Sequence, residues 1–160
     1  MDILQSYWRM EYVTAAPEKK SNNDRLFEEL PQKDDREALI VYRGEHHYMI
    51  LNRYPYNPGH LMVIPYQAVA QLKELSVEAR AEMMELIVYA QDMLTRAMQP
   101  DGFNIGFNIG KIAGAGIPHH LHGHIVPRWG GDTNFLPVIG KTRTLPQALE
   151  KTWERLKECL

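Results

Sequence analysis

The sequence predicts an α+β fold built on a five-stranded antiparallel sheet with one long helix and a C-terminal helix. Three observations lead there. Short runs rich in β-branched and aromatic residues recur along the chain, bounded by Gly, Pro and Asn. Only two segments carry long helical spacing. The strands do not alternate strictly with helices, as a parallel sheet would require. At 160 residues the chain has the length of one domain. It divides into an N-terminal extension over 1–37, a sheet core with its helix over 38–126, and a C-terminal segment and helix over 127–160.

The elements follow in order. Residues 1–20 mix Tyr7, Trp8 and Tyr12 with Pro17 and read as irregular but able to dock. Residues 18–35 are polar, with Leu26, Phe27 and Leu30 as anchors, and read as a surface segment holding at most a short helical turn. Ala38–Tyr42 and His47–Leu51 form a hairpin turning near Gly44 and Glu45. Asn52 to Pro58 carries two prolines and is loop chemistry. Gly59–Pro65 is a third strand. Ser76 caps a long helix over roughly 77–98, whose apolar residues Ala79, Met83, Leu86, Ile87, Ala90, Leu94 and Ala97 recur at helical spacing. Phe103–Ile109 alternates as a fourth strand, with one apolar face. A Gly-rich loop over 110–118 leads to a fifth, His119–Val126, which Pro127 ends. Thr144 and Gln147 form a capping pair for a last helix over 145–158, with Leu149, Trp153 and Leu156 on one side.

Composition excludes several classes of function. A net charge of −2 argues against a general nucleic-acid or anionic-membrane binder, which would carry a basic excess. A single cysteine, Cys159, rules out an intramolecular disulfide and every Cys-based zinc cluster. No apolar run approaches the roughly 18 residues of a membrane span. The first nine residues lack the charged start and apolar core of a signal peptide. The expected location is the cytoplasm.

The histidines carry the chemistry. Of seven in the chain, four fall in six positions: His119, His120, His122 and His124. A lone histidine is ordinarily a satisfied core or surface residue. In a strand, however, alternate side chains share a face, so His120, His122 and His124 project together, neighbours spaced by roughly 6.8 Å. Two chemistries use such a row. Neutral imidazoles bind metals, but a catalytic zinc site commonly adds a carboxylate, and the nearest acid, Asp132, lies beyond Trp129-Gly130-Gly131. Alternatively, one imidazole attacks phosphorus while its neighbours donate to the phosphate oxygens and the leaving group. The preceding loop favours phosphate: Gly114 and Gly116 let backbone N–H groups approach an anion, and Lys111 adds charge. His60, at the start of an apolar strand, is either a buried structural residue or part of the site. His46 and His47 are assigned to the hairpin surface with no role.

These residues resemble a known family. His120-Leu121-His122-Gly123-His124-Ile125-Val126 looks like the signature of the histidine-triad (HIT) superfamily, and Leu51–His60 resembles the segment forming its nucleoside pocket. Pro127-Arg128-Trp129, Gly131–Phe135 and Trp8–Val13 are similar to its bacterial branch of diadenosine tetraphosphate phosphorylases and hydrolases, which stands near the fragile-histidine-triad hydrolases. The likeness spans roughly residues 7–150.

The resemblance implies a homodimeric nucleotidyl hydrolase or transferase with a HIT-like fold, acting on dinucleoside polyphosphates. His122 would attack the α-phosphorus, forming a nucleotidyl-histidine that water or inorganic phosphate resolves. Its far nitrogen would stay protonated on a backbone carbonyl. His120 would brace the site, with His60 joining that network. His124 and Asn108 would contact phosphate oxygens, Asn52 the ribose, and backbone donors around Gly116 and Ile117, reached through Gly114, would cradle the anion. No tightly bound cofactor is expected, only a divalent cation travelling with the nucleotide. Relatives with a structural zinc use a Cys-x-x-Cys pair and a downstream His; here Arg25-Leu26-Phe27-Glu28 and Ala68 stand at those places, so no metal site is expected. Gly116 and Ile117 stand where many relatives bring a hydroxyl or amide to the phosphate. An adenosine phosphoramidate hydrolase, a nucleotide-binding signalling module and a zinc hydrolase are the other readings.

Overall fold

A computed structural model describes residues 25–132 and 148–160; the segment over 1–20 and the Thr144–Gln147 pair lie outside the described residues. Leu26–Glu29 form a single helical turn, α1, whose Phe27 is buried. Asp34 then accepts the backbone N–H of Arg36 and of Glu37 at 2.9 and 3.3 Å, the side-chain cap that starts a helix. The short helix α2, Asp35–Ala38, closes at Leu39, which adopts a left-handed φ of 62°. Ala38 and Leu39, expected in the first strand, therefore belong to this turn.

The sheet comprises β1 (Ile40–Arg43), β2 (His47–Leu51), β3 (Leu61–Pro65), β4 (Gly102–Phe107) and β5 (Gly123–Arg128). Their spatial order is β1-β2-β3-β5-β4, with every pairing antiparallel. The 22-residue helix α3, Val77–Met98, begins at Ser76, whose side chain accepts the Ala79 N–H. All seven apolar positions expected to face inward are buried, joined by Met93. They pack over β2, β3 and β5. α4, Leu149–Lys157, starts later than expected, without a side-chain cap. It docks by Trp153 and Lys157, which donate to the Ile40 and Val41 carbonyls at 2.9 and 3.2 Å. Val41 lies at a bulge in the β1–β2 ladder, where a carbonyl needs a partner from outside the sheet.

Three expectations are corrected. First, the fifth strand begins at Gly123 rather than His119: residues 110–122 run as turns and irregular chain. Second, Pro127 does not end it. Pro127 pairs with Phe103 of β4, while its carbonyl accepts from Asn57 Nδ2 at 3.0 Å on the opposite side. Its missing N–H thus falls beyond the last β3–β5 pair, Leu61 with Ile125, where no ladder bond is lost. Third, His47 is not on the surface. It is fully buried, its Nδ1 2.7 Å from Glu82 Oε2 of α3. The same carboxylate accepts the backbone N–H of Glu45 and of His46 at 2.6 and 2.8 Å. Gly44 permits this approach, since a Cβ there would meet Glu82 Oε1 at 2.5 Å. β4 departs more mildly from its expected pattern. Phe103 and Phe107 pack on the core, but Ile105 between them is 42% exposed, because β4 is an outer strand.

Candidate active site

The loop between β2 and β3 brings His60 to the sheet. Gly59 takes a φ of +75°, and a Cβ there would lie 2.7 Å from Met98 Sδ, so only glycine lets the chain press this close to α3. Backbone bonds from Asn52 N–H to the His60 carbonyl (2.8 Å) and from His60 N–H to the Asn57 carbonyl (3.2 Å) close the loop.

His60 is wholly buried. Its Nδ1 accepts the Tyr56 backbone N–H at 3.1 Å and faces Asn52 Nδ2 at 3.3 Å. A backbone N–H only donates, so neutral His60 carries its proton on Nε2. That nitrogen lies 3.0 Å from His124 Nδ1 and donates to it, which leaves the proton of neutral His124 on Nε2. The Tyr56 ring stacks on His60, centroids 4.7 Å apart at 18°. One backbone amide therefore sets the tautomer of two imidazoles in series.

His122 is oriented differently. Its Nδ1 is 2.8 Å from the carbonyl of His120, two residues back. A carbonyl only accepts, so Nδ1 holds the proton and Nε2 keeps its lone pair. Burial holds this imidazole below its ordinary value, the His120 carbonyl opposing that only in part. His122 thus stays a neutral imidazole with Nε2 unprotonated, and it lines a cavity of about 330 Å³. Its ring lies 4.9 Å from that of His124, edge to face. His120 turns away from both: its Nε2 donates to the Pro65 carbonyl at 2.8 Å. Its Nδ1 is buried with no partner among the described residues, and burial lowers its pKa too. Phe27 packs against the His120 and His122 rings at 5.5 and 5.1 Å. The row of three expected from strand geometry is therefore a pair of facing imidazoles, His122 and His124, with His120 as a brace behind.

The cavity gathers most of the other expected residues. Asn52, Asn108, Gly114, Gly116 and Ile117 line it with His122 and His124. Its apolar wall is Leu26, Phe27, Leu30 and Met62. No hydrogen bond within the described residues takes the N–H of Gly116 or Ile117, whereas the N–H of Gly114 is engaged by the Lys111 carbonyl at 3.1 Å. Gly114, at φ +93°, shapes the loop. Asn52 Oδ1 accepts the Tyr54 N–H at 2.9 Å. Asp132, the acid nearest the histidine row in sequence, does not line the cavity; it accepts from Asn57 Nδ2 at 2.7 Å and from the Arg128 guanidinium. Tyr56 had no role assigned from the sequence, and Phe27 only that of an apolar anchor. Tyr56 lies within the segment that resembles the nucleoside pocket, but its contact with His60 depends on how the loop closes.

An apolar-walled cavity, two imidazoles of opposite tautomer and open backbone donors form one constellation, and the comparisons agree with it. Residues 33–131 match the HIT domain. The chain belongs to the HIT family. It is 45% identical over 159 residues to the AP-4-A phosphorylase of Mycobacterium tuberculosis, covering 94% of this chain and 82% of that one. It is 32% identical over 95 residues to the asymmetrical bis(5'-nucleosyl)-tetraphosphatase of Schizosaccharomyces pombe, covering 59% and 52%. A histidine triad nucleotide-binding protein of Sulfolobus tokodaii superposes with a TM-score of 0.67 at 28% identity, over 84% of this chain and 90% of that one. On these grounds the chain is a HIT-type enzyme with the family's sheet and helices. Among the described residues no helix is long and apolar enough to cross a membrane.

Proposed function

We propose that the protein cleaves dinucleoside polyphosphates such as diadenosine tetraphosphate at the α-phosphate, through a nucleotidyl intermediate on His122. The observation that carries this is the bond from His122 Nδ1–H to the His120 carbonyl, which leaves Nε2 as a lone pair in the cavity. In the first step Nε2 attacks the α-phosphorus. The P–N bond forms, the bridging P–O bond breaks, and its electron pair departs with the polyphosphate. The positive charge left on the imidazole is spread toward the carbonyl through Nδ1–H. In the second step an acceptor oxygen displaces the imidazole. Inorganic phosphate fits that role, supported by the likeness to a phosphorylase; water is the alternative acceptor.

His124 donates from Nε2 to the reacting phosphate, its tautomer held by His60. The free N–H groups of Gly116 and Ile117 and the amide of Asn108 suit the phosphate oxygens. The apolar wall suits a base, and Asn52, which also lines the cavity, suits a ribose. A divalent cation would travel with the nucleotide, with no resident cofactor. We further propose a homodimer, supported by the half-exposed Ile105 on the outer strand β4, and a cytoplasmic location, supported by the single cysteine.

A product assay tests the activity. Chelator-treated protein is mixed with diadenosine tetraphosphate and the cation, with and without inorganic phosphate. ADP plus ATP appearing only with phosphate is the expected result. AMP plus ATP without phosphate identifies a hydrolase. Absence of both products would overturn the assignment.

A further inference from the structure

Two cavities meet at His124. The first holds His122. The second, of about 440 Å³, includes Tyr56, Asn108 and His124 from the first but not His122. It opens over β4 and β5, where the register pairs Gly106 with His124, Asn104 with Val126 and Gly102 with Arg128. Opposed residues of an antiparallel pair share a face, so Asn104, Gly106, His124, Val126 and Arg128 lie on one side. Gly106 offers no side chain beside His124, and a Cβ placed there meets nothing within 4 Å. The floor next to His124 is therefore open.

The far end of this cavity is positive. The Arg128 guanidinium is held on two edges: Nη1 donates to Asn104 Oδ1 at 2.6 Å, and Nε and Nη2 donate to Asp132 at 2.5 and 2.9 Å. The two partners differ in exposure. The Arg128 side chain is 42% exposed and that of Asp132 only 12%. Arg128 lines the cavity together with Asn57 and Asn104, whereas the Asp132 carboxylate does not.

In-line displacement places the leaving oxygen opposite the nucleophile. With His122 lining only the first cavity, the departing group must leave past His124, which lines both. We propose that the second cavity is the subsite for the departing polyphosphate arm, with Arg128 selecting leaving groups that carry several negative charges. This rests on the nucleotidyl-transfer reading above. The P–Nε2 bond forms as the bridging P–O bond breaks. The electron pair leaves on the polyphosphate oxygen, stabilised by His124 and neutralised along the arm by Arg128. No proton has to be supplied, because a polyphosphate departs as a stable anion. An uncharged leaving group gains nothing from Arg128.

The test compares two substrates, diadenosine tetraphosphate and the nitrophenyl ester of AMP, whose leaving group carries no phosphate. Gly106→Val fills the open floor without touching the core. Arg128→Gln removes the charge and serves as an independent second variant, with thermal melting confirming that each is folded. For each, the ratio of kcat/KM values is expected to shift by about tenfold toward the ester. Equal losses on both substrates, or no loss on the tetraphosphate, would overturn the subsite. Wild-type protein that cleaves neither substrate would instead remove the nucleotidyl-transfer reading, and the subsite with it.

Discussion

His47 and His122 are both buried, both bonded through Nδ1, and both held below the ordinary imidazole pKa by burial. They differ in what the other nitrogen sees. His47 donates to the Glu82 carboxylate, and its Nε2 is sealed in protein with no partner among the described residues. His122 donates to a neutral carbonyl, and its Nε2 serves a cavity. Burial and a lowered pKa therefore do not distinguish a reactive histidine from a structural one. The cavity beside the second nitrogen does.

The largest expected effect tests that distinction directly. His122→Asn should lower kcat by about a thousandfold or more, bind nucleotide still, and give no covalent adduct in the mass of acid-quenched protein. His47→Asn should keep kcat/KM within about threefold while lowering the melting temperature. Comparable activity losses in the two variants would erase the contrast. Next, His60→Leu removes the donor to His124 Nδ1 and should reduce kcat by up to about a hundredfold, the low end of what one donor aimed at a developing charge supplies, with little change in KM. A loss as deep as that of His122→Asn would mean His60 does more than hold a tautomer.

On the structural side, Glu82→Gln weakens three hydrogen bonds at a part-buried carboxylate. Burial raises that group's pKa, but the His47, His46 and Glu45 donors outweigh it and hold it below the usual range. The expected destabilisation is about 1–3 kcal/mol, read from urea midpoints, with unchanged kcat/KM. The smallest effect is the pH dependence of stability. In the unfolded chain His47, His120 and His122 take up protons near pH 6.5; in the fold all three resist doing so, chiefly through burial. The unfolded state then binds more protons, so stability is level above that pH and falls below it. A urea midpoint lower at pH 5.5 than at pH 7.5 is expected, and His47→Asn should reduce the difference.

The long helix was legible to the residue because Ser76 and the apolar spacing from Ala79 to Ala97 are local signals that agree. The third strand and the family signature were legible for the same reason. The start of β5 was not. Alternating histidines mimic a strand, yet the His122 ring bonds a carbonyl only two residues behind it, as the irregular chain before Gly123 allows. Pro127 misled because its ladder partner on the costly side is absent, which depends on where β3 begins. The pairing of His47 with Glu82 joins residues 35 apart and leaves no local trace. His60 was visible as a suspect, but Tyr56 donating to it depends on loop closure.

That same carboxylate has a consequence for how the molecule opens. The amides of Glu45 and His46, at the tip of the β1–β2 hairpin, are capped by a side chain 37 and 36 residues away. The hairpin closes only the Gly44 N–H to His47 carbonyl bond within its own turn, and its other two tip amides are satisfied while α3 is docked. The cooperative unit in native-state hydrogen exchange is therefore the hairpin together with the helix. The two tip amides, exposed by their place in the chain, should exchange with the slow opening of α3 rather than with the fraying of a surface turn.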